Sequence, residues 1–300
     1  MSTVVHLPVP ISAWLPTSPC APASCVDAPV ATVGPLRRSL RLLGALTVLL
    51  AGVPLALCAR WAGPARRSRL TMTWSRLLVR ALGVKIETHR GFSVVGGSVA
   101  ARSVPDDGGP MLLVANHMSW LDPVLVAAIT PCRPLAKSEV GRWPVVRTLA
   151  AGGRALFIDR DRLSALPGAI AEVADALRAG DSVAAFPEGT TWCGREMGQF
   201  RPAVFQAAID AGVPVRPLTV RFLQGEALST APAYVGEDTL LASILRVTGI
   251  SGLVAEVTLF PGVRLADASR PYEARRALAR ITEAQVRTGL LEYRQESVAA

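Results

Sequence analysis

From Leu42 to Ala59 the chain runs 18 residues without a charged side chain, and arginines bracket the run on both sides. Arg37, Arg38 and Arg41 precede it, and Arg60, Arg66, Arg67 and Arg69 follow. As a helix rising about 1.5 Å per residue, the run would be about 27 Å long, close to the hydrocarbon thickness of a bilayer. A membrane anchor, spanning or re-entrant, is the expected reading. A buried core helix stays open, because Gly44, Gly52 and Pro54 interrupt the run. A signal peptide fits less well: the run starts late, and Leu55-Ala56-Leu57-Cys58 lacks the small residue a lipoprotein site needs before its cysteine. With positive charge on both flanks, the positive-inside rule does not orient a single span. Next, Leu70, Trp74, Leu77, Leu78 and Ala81 fall at helical spacing with Arg76 and Arg80 among them, as in an amphipathic helix on a lipid or protein surface.

Before the anchor, seven prolines in the first 35 residues and no clear periodicity predict a disordered Pro-rich tail over residues 1–35. A membrane-associated helical segment over 36–82 and one large domain over 83–300 complete the expected organisation. The 300 residues hold 32 Lys+Arg against 23 Asp+Glu, a net charge of +9 that suits an anionic partner such as a membrane surface or a phosphorylated small molecule. Nucleic acid is not the expected partner, since the arginines are dispersed and no recognition motif accompanies them. The 5 cysteines (Cys20, Cys25, Cys58, Cys132, Cys193) are odd in number and scattered, which argues against a disulfide scaffold. Cys20 and Cys25 lack a matching pair or a histidine cluster nearby, so no zinc site is expected.

From Gly83 onward the pattern alternates between short apolar runs and helical periodicity. Strands are predicted at Val84–Thr88, Met111–Ala115, Ser182–Phe186, Val215–Phe222 and Val254–Phe260. Helices are predicted at Asp122–Ile129, Pro167–Ala179, Ala203–Ala211 and Tyr272–Tyr293. This is an α/β fold with a mixed sheet flanked by helices.

Of the three histidines, His6 lies in the tail and His89 in a turn beside Arg90; only His117 has chemical company. It follows an apolar strand in Asn116-His117-Met118-Ser119-Trp120-Leu121-Asp122, at the strand-to-helix turn where α/β sheets gather reactive groups. At this spacing Asp122 can reach back to the imidazole, fix its tautomer and raise its basicity toward a hydroxyl proton. A capping aspartate beside a satisfied loop histidine would leave the same trace. Two further strand ends carry polar turns, Phe157-Ile158-Asp159-Arg160 and Phe186-Pro187-Glu188-Gly189-Thr190. In the second, a glycine permits positive φ or close approach of backbone N–H groups to a ligand.

Together, in this order, these motifs resemble the glycerophosphate and lysophospholipid acyltransferase family. Asn116, His117 and Asp122 complete its N-H-x-x-x-x-D motif. Phe157 to Arg160, Phe186 to Thr190, and Val213-Pro214-Val215 with Pro217 match three more, so the likeness covers about residues 83–222 and the hydrophobic segment before it. The resemblance implies a glycerol-3-phosphate acyltransferase-like fold and an enzyme that passes a fatty acyl group from acyl-CoA or acyl-carrier protein to a lysolipid hydroxyl. It implies His117 as general base, oriented by Asp122, with Asn116, Arg160, Glu188, Gly189 and Thr190 holding the acceptor; Lys137 is either a further charge near its phosphate or a solvated surface lysine. No metal or bound cofactor is required. The absence of a G-x-S-x-G elbow agrees with direct transfer.

The expected acceptor is 1-acyl-sn-glycerol-3-phosphate, giving phosphatidic acid, at the cell membrane with the catalytic domain on its cytoplasmic face. One departure bears on this. Phosphatidate-forming members usually carry Arg and then Ser after Glu-Gly-Thr, where this chain has Thr191 and Trp192. Arg195 or Arg201 could replace the missing guanidinium; otherwise the acceptor is another lysolipid, lyso-ornithine lipid included. A non-catalytic lipid-binding membrane protein is the alternative of a different class.

Overall fold

The computed structural model describes residues 15–92, 101–104, 108–142, 144–159, 162–265 and 270–298. Its elements run α1 (Pro22–Cys25), α2 (Pro35–Ala59), α3 (Pro64–Ala81), β1 (Val84–Arg90), β2 (Ala101–Val104), β3 (Leu112–Ala115), α4 (Asp122–Ile129) and β4 (Arg133–Lys137). Then follow α5 (Pro144–Gly152), β5 (Leu156–Ile158), α6 (Leu166–Arg178), β6 (Val183–Ala185), α7 (Phe205–Ala211) and β7 (Val215–Gln224). β8 (Ala227–Leu228), α8 (Leu240–Gly249), β9 (Leu253–Leu259), β10 (Gly262–Leu265) and α9 (Pro271–Val298) complete the chain.

The strands form one mixed sheet in the order β1-β9-β7-β3-β6-β4-β5, with β8 and β10 beside β7 and β2 beside β10. β7, β3, β6, β4 and β5 are mutually parallel, while β9 runs antiparallel to β7. The loops after β3, β4, β5 and β6 therefore leave from one edge of the sheet, which brings together motifs that lie far apart in sequence. Alternation along the central strand β3 divides the core between the two faces of the sheet. Leu113 and Ala115 pack with Met118, Leu121 and Leu125 on one face, and Leu112 and Val114 with Val173, Leu177 and Phe205 on the other.

Two boundaries expected from the sequence are redrawn. The segment 36–82 is not separate from the domain: Leu78, Val79 and Leu82 of the α3 region are buried in the same core as Leu113 and Leu125, and the Arg76 guanidinium donates to the Ala128 carbonyl. The tail expected over 1–35 is also revised where it is described. Residues 15–34 run along the domain as a strap, with Thr32 bridged to Ile250 and Gln224 bonded to Ala31 and Val30. Proline-rich sequence read as disorder is here extended chain whose polar groups find partners on distant strands. Residues 1–14 lie outside the described residues.

α2 and α3 form an antiparallel hairpin: Trp74 donates to the Val48 carbonyl, and Arg67 caps the Ala59, Arg60 and Ala62 carbonyls at the turn. Close approach explains one of the residues that interrupt the apolar run, Gly52. A Cβ on Gly52 would press on Leu149 and the Trp74 ring, and Ala56 backs onto Gly152. The opposite face of α2 leaves Leu36, Leu40, Leu43, Leu50 and Leu57 exposed, at steps of four, three and seven.

On β7 and β9, Arg221 stands opposite Glu256 in register, with Nη2 at 2.7 Å and Nε at 3.2 Å from the carboxylate, both side chains nearly buried. Replacing one partner of such a pair leaves a buried charge short of its counterion and costs about 3–5 kcal/mol. Glu256→Gln is accordingly expected to lower the thermal unfolding midpoint by about 10 °C. An unchanged midpoint in a melting experiment would show that the pair contributes nothing.

Candidate active site

β3 ends at Ala115, and the next side chain ties the strand end to β7. Asn116 is 2% exposed, its amide nitrogen donating to the Val220 carbonyl and its oxygen accepting from the Val220 N–H, each at 2.8 Å. The expectation that Asn116 touches the acceptor is corrected: its amide imitates one more rung of the ladder and fixes where the following turn begins.

His117 is then held from every side. Its N–H donates to Glu188 Oε1 at 2.6 Å, its carbonyl accepts from the Trp192 N–H at 2.8 Å, and its ring stacks on Phe186 at 4.3 Å between centroids. Nδ1 lies 2.8 Å from Asp122 Oδ2. The same oxygen accepts from the Met118 and Ser119 N–H groups at 2.6 and 2.7 Å, so one fully buried carboxylate both shapes the turn and orients the imidazole. Among the described residues Asp122 Oδ1 has no hydrogen-bond partner, though it is buried. A carboxylate bonded to Nδ1–H leaves Nε2 as the basic nitrogen. Among the described residues Nε2 has no protein partner, and the side chain keeps 17% of its exposure.

Glu188 also changes role. It is 3% exposed, and its two oxygens accept from the His117 and Gly198 N–H groups. Burial pushes its carboxyl up to about 8, against the pull of those two N–H donors. The expectation that Glu188 holds the acceptor is replaced by a brace that sets the backbone of His117 from 71 residues away. Gly189 follows with φ +77°, and a Cβ there would stand 2.6 Å from Pro16 of the strap. Gly189 and Thr190 sit half-buried beside the brace, and Lys137 ends β4 on the same sheet edge, with Nζ 2.7 Å from Glu139. Arg160 lies outside the described residues. Of the two arginines considered as replacements, Arg195 is held by the strap, its Nη2 at 2.6 and 2.8 Å from the Asp27 carboxylate. Arg201 is exposed, and its N–H donates to the Pro187 carbonyl.

One grouping is not legible from spacing. Cys193, one residue beyond Trp192, meets Cys20 and Cys25 of the strap, the three sulfurs lying within 4.8 Å of one another. By spacing alone Cys20 and Cys25 have no third cysteine near them; folding brings one from 168 residues downstream of Cys25.

The Acyltransferase family model matches residues 95–221. The chain is 29% identical over 224 residues to a 1-acyl-sn-glycerol-3-phosphate acyltransferase of Neisseria meningitidis serogroup B, covering 75% of this chain and 82% of that protein. It is 30% identical over 230 residues to a lyso-ornithine lipid O-acyltransferase of Brucella abortus, covering 74% and 81%. The crystal structure of the 1-acyl-sn-glycerophosphate acyltransferase PlsC from Thermotoga maritima superposes with a TM-score of 0.58 at 18% identity, over 86% of this chain and 97% of that one. At that identity the match bears on the fold, a mixed sheet flanked by helices with an apolar helix before it.

Proposed function

The chain belongs to the Acyltransferase family, and we propose that it moves a fatty acyl group from a thioester, acyl-CoA or acyl-carrier protein, onto a lysolipid hydroxyl. The observation that carries this reading is the imidazole of His117, oriented through Nδ1 by a buried carboxylate and open at Nε2. Nε2 takes the proton of the acceptor hydroxyl as its oxygen bonds to the thioester carbonyl carbon. Asp122 stabilises the imidazolium formed. Collapse of the tetrahedral intermediate breaks the C–S bond, and the departing thiolate takes the proton back from Nε2. Each nucleophile, proton and leaving group is then accounted for without an acyl-enzyme. Gly189 and Thr190 line the acceptor side, with Arg160 and Lys137 supplying positive charge.

The acceptor proposed first is 1-acyl-sn-glycerol-3-phosphate. Two observations favour a second reading, a lysolipid without a phosphomonoester such as lyso-ornithine lipid. Thr191 stands where a guanidinium would clamp phosphate, and Arg195 is already committed to Asp27. Membrane attachment is supported by α2, the one helix among the described residues that is long and apolar enough to cross a bilayer. Its hairpin with α3 returns the chain to the domain, while the strap before it also lies on the domain. Both observations support a re-entrant or surface-embedded anchor whose exposed leucine face meets lipid. Arg37, Arg41, Arg76, Arg80 and Lys85 line one groove at the base of that hairpin, a charge arrangement that suits anionic headgroups on a cytoplasmic leaflet.

An acceptor panel tests this reading. Purified protein would be offered labelled acyl-CoA or acyl-carrier protein with 1-acyl-sn-glycerol-3-phosphate, lysophosphatidylethanolamine or lyso-ornithine lipid, and products read by mass. One His117-dependent product is expected. None from any pairing of donor and acceptor would leave the non-catalytic lipid-binding alternative. Thr191→Arg is expected to raise kcat/KM for 1-acyl-sn-glycerol-3-phosphate relative to the other acceptors by about tenfold, the order of one charge-assisted hydrogen bond. An unchanged preference would show that position 191 does not select the acceptor.

A further inference from the structure

The strap meets the active-site rim at three places. Pro16 covers Gly189, and Asp27 takes both the Arg195 guanidinium and the Thr230 hydroxyl. Between these contacts lie the thiols of Cys20, Cys25 and Cys193, their sulfurs mutually within 4.8 Å. Cys20 and Cys193 are 8% and 5% exposed, packed against Ala233 and Val235, and Cys25 is half-buried.

We propose that Cys20, Cys25 and Cys193 bind one zinc ion, which clamps the strap to the loop that positions His117. The ligand chemistry favours a soft d10 cation, since three cysteine sulfurs converge and no carboxylate or histidine among the described residues joins them. Four residues separate Cys20 from Cys25, the upper end of the ordinary spacing for a zinc ligand pair. The single helical turn Pro22–Cys25 folds that interval back so that both sulfurs face the third. Zinc–sulfur bonds of about 2.3 Å place tetrahedrally arranged sulfurs about 3.8 Å apart, so small side-chain rotations draw the present triangle onto the metal. Binding exchanges three thiol protons for one Zn²⁺, and an exogenous ligand such as water fills the fourth position, which the partial exposure of Cys25 leaves accessible. A disulfide would join only two of these sulfurs and strand the third, whereas a metal uses all three.

The consequence for the site is short-ranged. Cys193 is bonded through one peptide to Trp192, whose N–H holds the His117 carbonyl. A metal at the cluster therefore fastens the backbone that holds the imidazole, and the clamp does not depend on which acceptor the enzyme uses.

The test uses the full chain, purified in detergent with a non-chelating phosphine reductant. Elemental analysis is expected to give about one zinc per chain. After chelation, added Co²⁺ should produce thiolate-to-cobalt charge transfer with tetrahedral d–d bands, saturating at one equivalent. Cys25→Ser should lose the stoichiometric metal and the cobalt spectrum, while Cys58→Ser, on the exposed face of α2, should keep both. Wild-type protein with only background metal and no cobalt spectrum would overturn the proposal, and so would full retention of metal by Cys25→Ser. A cross-linked peptide joining two of the three cysteines, with the intact mass lowered by two hydrogens, would replace the metal clamp with a disulfide. Should Cys25→Ser fail to fold, the wild-type stoichiometry and cobalt titration still decide.

Discussion

With His117 changed to alanine, acyl transfer is expected to fall by about 10²–10⁴-fold, the span general-base catalysis commonly contributes. The loss should appear in kcat, with KM for both substrates nearly unchanged, because in the proposed step the side chain removed acts on the proton and not on binding. The structure makes this a clean substitution. The links that set the loop run through the backbone of residue 117, its N–H to Glu188 and its carbonyl to Trp192, and alanine keeps both. What is lost is the bond to Asp122 and the stack on Phe186, the stack being worth about 0.5–1.5 kcal/mol. Folding and membrane attachment should therefore survive, as read by circular dichroism and vesicle flotation. A variant that keeps wild-type turnover would remove His117 from the reaction and leave the Asp122 contact as turn architecture alone.

Where sequence and structure agree, the signal was local. The continuous apolar run at Met111–Ala115 becomes β3 at Leu112–Ala115, and the Ile170, Val173, Ala174, Leu177 face becomes the buried side of α6. The His117–Asp122 contact spans only five positions, so the spacing alone could suggest it. What was missed depends on contacts that periodicity cannot see. Glu188 looks like a ligand-facing acid until its partner N–H groups are located. Asn116 looks like a substrate contact until Val220, 104 residues on, proves to be its partner. The strap read as disorder because the seven prolines of residues 1–35 erase both helical and strand patterns. Yet extended chain needs no internal pattern when Gln224, Thr230, Gly249 and Ser251 supply its hydrogen bonds from outside. The helix α5 and the strand β4 escaped for a different reason: both are short, and Arg133 and Pro134 in β4 hide its strand character.

Asp122→Asn separates the two jobs that one carboxylate performs. Oδ2 carries all three hydrogen bonds, and Oδ1 carries none. An asparagine can therefore set its carbonyl oxygen in the place of Oδ2 and its amide nitrogen in the unpartnered position. The Met118 and Ser119 N–H groups keep their acceptor, and Nδ1–H keeps its own, so the turn and the tautomer persist. What disappears is a negative charge beside the imidazolium that the proposed step forms when His117 accepts the hydroxyl proton. That charge matters in the transition state and much less in the resting enzyme. A charge-assisted bond exceeds a neutral one by about 1–3 kcal/mol, so kcat should fall by about tenfold to a hundredfold with stability little altered. Asp122→Ala should do worse in both respects, because two backbone N–H groups and Nδ1–H lose their acceptor together, at about 1–3 kcal/mol for each group left buried and unsatisfied. Comparing the two variants by turnover and thermal midpoint distinguishes the roles. If the asparagine variant turned over at the wild-type rate, Asp122 would serve the turn and contribute no charge stabilisation. If it lost stability as alanine does, the unpartnered oxygen could not be exchanged for an amide, and the separation of roles would fail.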